Sequence, residues 1–256
     1  MGKQNKAGFT IIEVTLFLAI SGLLILLLLG GWSVMINTQR YKDSIKTTQS
    51  FLQKQYSLAY NVENGRSANY ICEDGNVSEV DPGGVPRGQE DCVILGRLIH
   101  VKKGTDMAVY PIVGKDVDVE AMLAGEAQTN YIEEIRALTP KYSTEDIGIK
   151  GAEYTVPWQA TVVKSSVDPS GLNYIIAIIR SPSSGVAHTF SKQVADDSLP
   201  AKELVGLIDA GNEKEVLMCI DAGAPISGGR MGVKIAKNAS TGDFVQNVAD
   251  GTGQCG

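Results

Sequence analysis

Residues 8–39 read GFTIIEVTLFLAISGLLILLLLGGWSVMINTQ, and this stretch decides the architecture. No charged side chain occurs between Val14 and Gln39, and Leu23 to Leu29 is unbroken aliphatic. At about 1.5 Å per residue the uncharged part makes a helix of roughly 39 Å, longer than the ~30 Å hydrocarbon core of a bilayer. A cleavable secretory signal fits poorly, because its apolar region is about 7–15 residues long and ends at a small-residue cleavage site. The stretch therefore predicts a transmembrane helix over about 14–39.

The front edge of the stretch carries more information. Lys6-Ala7-Gly8-Phe9-Thr10-Ile11-Ile12-Glu13 sets a short basic leader against a glycine, then starts an apolar segment with one carboxylate near its beginning. A carboxylate in or beside a membrane segment is costly and by default needs a partner and a function, so a plain anchor has no use for Glu13. Gly8, Phe9, Thr10, Ile11, Ile12 and Glu13 resemble, position by position, the N-terminal signature of the type IV pilin and type II secretion pseudopilin superfamily. The likeness covers roughly residues 3–40. It implies a leader over 1–8, cleavage between Gly8 and Phe9 by an aspartic prepilin peptidase of the membrane, and N-methylation of Phe9. It further implies that Glu13 answers the N-terminal amine of a neighbouring subunit, so that two charges costly in an apolar bundle satisfy each other and set axial register. The plainer alternative leaves Glu13 at the interfacial water. Expected partners are the peptidase, other copies or related pilin subunits in a helical filament, the cell membrane, and a pilus or secretion assembly platform.

Charge alone does not orient the chain. Lys3 and Lys6 precede the apolar span, while Arg40, Lys42, Lys46 and Lys54 follow it, so the positive-inside count is indecisive. The resemblance and the cysteines place the leader in the cytoplasm, with the protein a single-pass membrane species before assembly and a periplasmic or extracellular filament afterwards. The chain holds 23 Lys/Arg and 29 Asp/Glu for a net charge of −6; residues 1–62 take six of the basic and two of the acidic ones, leaving the remainder at −10. So acidic a head repels nucleic-acid phosphate in general, and no general nucleic-acid binding is expected, which leaves room for a local basic patch.

Past the membrane the helix continues. Tyr41, Ile45, Thr48, Leu52, Tyr56 and Ala59 recur at steps of three and four, forming one stripe able to pack on a head domain. The spacing predicts one helix over about 9–62, stopped by Asn64-Gly65. Gly30-Gly31 together cost about 2 kcal/mol of helix propensity, and mark either a weak point or a site of close helix packing.

Residues 63–256 change to strand and turn patterns. A short strand ends near Cys72, followed by a loop from Glu73 to Asp91. Strands are expected over Cys92–Ile99, Met107–Tyr110, Val216–Ile220, Met231–Ala236 and Phe244–Val248, and a helix over Ala127–Leu138. Gln159–Lys164 and Leu172–Arg180 flank Asp168-Pro169-Ser170-Gly171, a hairpin signal. The fold class expected is α+β: a long N-terminal helix packed on one mainly antiparallel, pilin-like extracytoplasmic head.

Four cysteines stand at positions 72, 92, 219 and 255, never as C-x-x-C. In an exported domain the default is two disulfides, for which sequence allows three pairings. The local choice, Cys72–Cys92 with Cys219–Cys255, closes loops of a few tens of residues at about 3–4 kcal/mol each. Four reduced, buried thiols are the alternative.

No nucleophile elbow, P-loop, H-E-x-x-H or dinucleotide fingerprint occurs, so neither enzymatic activity nor a cofactor is expected. No metal-ligand spacing is present either; Asp209, Asp221, Asp243 and Asp250 crowd the C-terminal region without the spacing of a calcium loop. Glu133-Glu134 reads as a solvated helix face and Gly228-Gly229-Arg230 as a turn. Asn76-Val77-Ser78 and Asn238-Ala239-Ser240 match the short glycosylation pattern by chance. Three roles remain: a main pilus subunit, a minor pilin or pseudopilin of a secretion or DNA-uptake machine, and a membrane-anchored enzyme or receptor. Glu13 favours the first, the large head the second, and Gly8–Glu13 speaks against the third.

Overall fold

A computed structural model describes residues 10–61, 70–73, 75–79, 92–102, 104–118, 121, 130–144, 151–163, 172–248 and 254–255. The leader with Gly8 and Phe9, the Asn64-Gly65 stop, much of the 73–91 loop, the Asp168–Gly171 turn and Asp250 lie outside the described residues.

Helix α1 runs unbroken from Ile11 to Tyr60, straight through Gly30-Gly31. A Cβ added at either glycine would meet nothing within 4 Å among the described residues, so no packing seen there demands them. The first half of α1 is exposed on every side, from Ile11 to Ile36, and is long and apolar enough to cross a membrane. The second half buries Tyr41, Ser44, Ile45, Thr48, Leu52, Gln55, Tyr56 and Ala59. These include all six residues of the expected stripe, and the polar ones among them are bonded within the helix or to the head. Ser44 Oγ donates to the Tyr41 carbonyl at 2.7 Å, and Thr48 Oγ1 to the Ser44 carbonyl at 2.8 Å.

Among the described residues the head holds strands β1 (Tyr70–Glu73), β2 (Asn76–Glu79), β3 (Cys92–Lys102), β4 (Asp106–Lys115), β5 (Lys141–Tyr142), β6 (Ala152–Thr155), β7 (Thr161–Val163), β8 (Tyr174–Arg180), β9 (Ala187–Gln193), β10 (Val216–Asp221), β11 (Met231–Ile235) and β12 (Val245–Val248), plus a short helix α2 (Tyr131–Ala137). Every pairing is antiparallel. The larger sheet is ordered β5-β4-β3-β8-β9, with β6 sharing the free edge of β4; a second sheet is ordered β12-β11-β10-β7, and β1-β2 form a small ribbon. The fold is thus α+β.

β8 explains how the layers stack. Its sequence Tyr-Ile-Ile-Ala-Ile-Ile-Arg is apolar throughout because both faces are covered. Ile176 and Ile178 face a core shared with α1 and the second sheet, while Ile175, Ala177 and Ile179 join Ile132, Ile135 and Phe190 under α2. In the first core Ile45, Leu52 and Tyr56 of α1 are each at most 1% exposed, a burial that contributes about 1.5–3 kcal/mol per side chain. At Gly96 the backbone of β3 lies so close to β8 that a Cβ would stand 1.9 Å from the Ile178 carbonyl oxygen.

Two expectations about the strands fail. Asn76–Glu79, expected within a loop, form β2 because they pair residue by residue with β1. Gln159–Lys164 and Leu172–Arg180 do not form a hairpin: β7 pairs with β10, whereas β8 pairs with β3 and β9 in the other sheet. The chain does turn back, since Leu172 N–H donates to the Val162 carbonyl at 3.1 Å, but only to change sheets.

Candidate functional site

The described part of the site begins at Thr10, the N-cap of α1. Glu13 Oε2 accepts from Thr10 N–H at 2.8 Å and from Thr10 Oγ1–H at 2.9 Å, while Thr10 Oγ1 accepts from Glu13 N–H at 3.3 Å. This is a reciprocal capping box, which satisfies N–H groups the first helical turn leaves open and sets a negative charge at the positive end of the helix dipole. Thr10-x-x-Glu13 is its sequence signature, and a reading of Glu13 through intersubunit pairing alone passes over it. In this chain the carboxylate is exposed and held by its own N-cap through Oε2.

Where α1 leaves its apolar half, the head grips it. Tyr41 Oη donates to the Ile220 carbonyl at 2.8 Å and accepts from Met231 N–H at 2.6 Å, at the end rung of the β10–β11 ladder. Gln49 and Gln53 both donate side-chain N–H to the Val245 carbonyl, at 2.9 and 3.2 Å. Tyr56 Oη shares a hydrogen bond of 2.8 Å with Thr189, and burial pushes its phenol pKa well up. Tyr60 Oη donates to the Ser240 carbonyl and accepts from Ala187 N–H. These bonds together with the apolar stripe fix the helix to both sheets, as a rod set into the head.

The cysteines pair locally. Cys72–Cys92 joins β1 to β3 with Cα atoms 5.9 Å apart, and Cys219–Cys255 ties the C-terminal segment to the middle of β10 at 5.4 Å. Of the C-terminal acids that are described, Asp209 pairs with Arg136 at 3.2 Å and Asp221 with Arg230 at 2.6 Å. No cluster of metal-ligating side chains occurs among the described residues. Glu133 is solvated as expected, but Glu134 is half-buried and accepts from Ser181 and Ser183, tying α2 to the end of β8. Gly228 has φ +104 in the β10–β11 turn, Asn76 lies in β2, and Asn238 sits in a turn at φ +57.

Two constellations carry no sequence signal. Tyr131 stacks on His188 with ring centroids 3.9 Å apart, and both contact the buried Glu213: Tyr131 Oη–H donates to Oε2 at 2.6 Å, and His188 Nδ1 lies 3.4 Å from Oε1. Burial and the Glu213 hydrogen bond push the Tyr131 pKa up to about 12. The other is Trp158, half exposed at φ +64 beside Gln159 at φ +59, with Arg40 stacked on its ring at 4.9 Å. Compared with known proteins, the chain matches no family model, no curated protein and no solved structure.

Proposed function

We propose that this chain is a structural subunit of a type IV pilus or pilus-like filament, cut between Gly8 and Phe9 by a prepilin peptidase and polymerised through α1. One observation carries the proposal: Gly8-Phe9-Thr10-Ile11-Ile12-Glu13 places a single carboxylate at the head of a segment with no other charge until Arg40. The division of α1 supports it, because one half is exposed on every side and the other is locked into the head. Such a protomer can bundle its apolar halves, first with lipid and then with neighbouring helices, without disturbing the head. Glu13 then trades its capping partner Thr10 for the Phe9 amine of a neighbour.

A minor pilin or pseudopilin role is the second reading, favoured by a head spanning residues 63–256. The decisive measurement is mass spectrometry of the mature N-terminus, with a Gly8→Leu variant alongside. A chain starting at N-methylated Phe9, absent from the variant, supports the proposal. A native chain that keeps residues 1–8, or a variant processed normally, removes it. Quantifying the protein in sheared filaments then separates main from minor subunit.

A further inference from the structure

A cleft of about 330 Å³ lies where α1 enters the head, bordered by Asn37, Arg40 and Tyr41 of the helix, Trp158, and the Ala222-Gly223 turn after β10. Its height relative to the membrane follows from the helix it is built on. If the ~30 Å hydrocarbon core begins at Val14, it ends near Val34, and Arg40 stands roughly 9 Å beyond, within a side chain's reach of the headgroup layer. The head comes down to the same level: Ser227 N–H donates to Thr38 Oγ1 at 3.1 Å.

The chemistry of the cleft suits that position. Arg40 makes no ion pair with any described residue, and its guanidinium lies over the Trp158 ring. The indole Nε1–H donates to Asp43 at 3.1 Å, which orients the ring one turn above Arg40. No described acid lines the cleft; Asp43, one helical turn from Arg40, accepts from Trp158, and Asp221, next to Ala222, pairs with Arg230. Trp158 and Gln159 are consecutive non-glycine residues in the left-handed region, a conformation that costs on the order of 1 kcal/mol or more per residue and tends to accompany function. The result is an exposed indole, the side chain that favours the membrane interface, beside a guanidinium suited to phosphate.

We infer that this cleft receives the phosphodiester headgroup of a phospholipid from the membrane that α1 spans, with Arg40 as its cation and Trp158 as its interfacial anchor. The inference rests on membrane anchoring of α1 and is independent of filament assembly. The anchored, unassembled head is thereby seated on the bilayer surface.

Two tryptophans in the chain, Trp32 in α1 and Trp158 in the head, make separate reporters. The full-length protein is reconstituted as Trp32→Phe and as Trp158→Phe, in phosphatidylglycerol bilayers and in phosphate-free galactolipid bilayers, each with a nitroxide lipid labelled near the interface. Trp158 should be quenched in the phospholipid and several-fold less in the galactolipid. Arg40→Gln should weaken phospholipid contact about tenfold, as expected for loss of a charge-assisted hydrogen bond, and Arg40→Lys should restore part of it. Circular dichroism of each variant checks the fold. Trp32 quenched but Trp158 not would leave the anchor intact and overturn the cleft. Equal Trp158 quenching in both bilayers, or in Arg40→Gln and native protein, would also overturn it. Binding of soluble glycerol phosphate to the detergent-solubilised protein, with Trp158 unquenched in phosphatidylglycerol bilayers, would assign the cleft to a free phosphoester instead of a lipid. Protection of Trp158 only at high protein-to-lipid ratio would assign it to a second copy of the chain.

Discussion

Replacing Tyr41 by phenylalanine removes one oxygen from the point where α1 meets the second sheet. Ile220 and Met231 face each other across β10 and β11, and the Tyr41 hydroxyl bonds the carbonyl of one and the N–H of the other. The ring stays, so the apolar burial of a side chain that is 3% exposed is nearly unchanged. What is lost is the hydroxyl's hydrogen bonding, about 0.5–1.5 kcal/mol net, and the two backbone groups are left to find other partners. Ile220 is fully buried, so its carbonyl has no easy access to water, whereas Met231 is only half-buried. One orphaned buried group adds about 1 kcal/mol or more, for a total near 2 kcal/mol. For a head of this size that lowers the melting temperature by about 4–8 °C. The assay is urea denaturation of the full chain in detergent, followed by near-ultraviolet circular dichroism, with the midpoint compared at equal slope. Native-state hydrogen exchange should show the Met231 amide losing protection more than the amides of β3 or β8. A midpoint within about 0.5 kcal/mol of native, with Met231 still protected, would refute the assignment of Tyr41 as the pin of this ladder.

Three further outcomes are expected. Glu13→Gln keeps the capping box, since glutamine serves at that position, but loses the charge; Thr10→Val does the reverse. If Glu13 acts through charge, Glu13→Gln should give about tenfold fewer filaments or worse at normal mature protein level, and Thr10→Val should assemble; the opposite ranking by electron microscopy would make Glu13 a helix cap alone. Gly96→Ala must push β3 away from the Ile178 carbonyl, and should destabilise the head by about 1–3 kcal/mol or prevent its folding, read by the urea midpoint or export yield. Burial lowers the pKa of both histidines, His100 and His188, below the unfolded value of 6.5. The unfolded chain therefore binds more protons than the folded one around and below that pH, so stability is fully present well above 6.5 and is lost as the pH falls through 6.5 toward the depressed folded values. His100→Leu should flatten this slope in urea midpoints taken across the range; an unchanged slope would show that His100 does not titrate on unfolding.

The sequence was most legible where one residue's neighbours decide its role. The α1 stripe follows from helical spacing alone, and six positions from Tyr41 to Ala59 are buried as that spacing requires. Strands with runs of β-branched residues, such as β3, β8 and β10, were legible for the same reason, though β3 and β4 extend beyond their apolar centres because each pairs along its whole length. Partner choice was not legible. The segments either side of Asp168–Gly171 carry a hairpin's local signal, yet Val162 pairs with Ile220 far along the chain, and β8 fills the middle of a sheet that both of its apolar faces suit. β9, with His188, Thr189, Ser191 and Lys192, is mixed in polarity and becomes a strand only by pairing with β8. Trp158 was hidden more deeply, since a left-handed tryptophan has no sequence signature and depends on Arg40 and Asp43 of α1. The capping box at Thr10 and Glu13 was plainly written and needed only to be weighed beside intersubunit pairing.

The clamp on α1 also sets how this chain would carry tension. The buried stripe from Tyr41 to Ala59 extends about 27 Å along the helix axis, with its contacts and hydrogen bonds spread along that length. A pull applied at the membrane end and directed along α1 loads these contacts in shear, so they must yield together; a sideways pull would peel them from Tyr41 upward, one at a time. The same bonds therefore make a stiff, strong joint against axial traction and a weaker one against bending, while Cys219–Cys255 staples the segment after β12, the strand that holds Gln49 and Gln53, back onto β10.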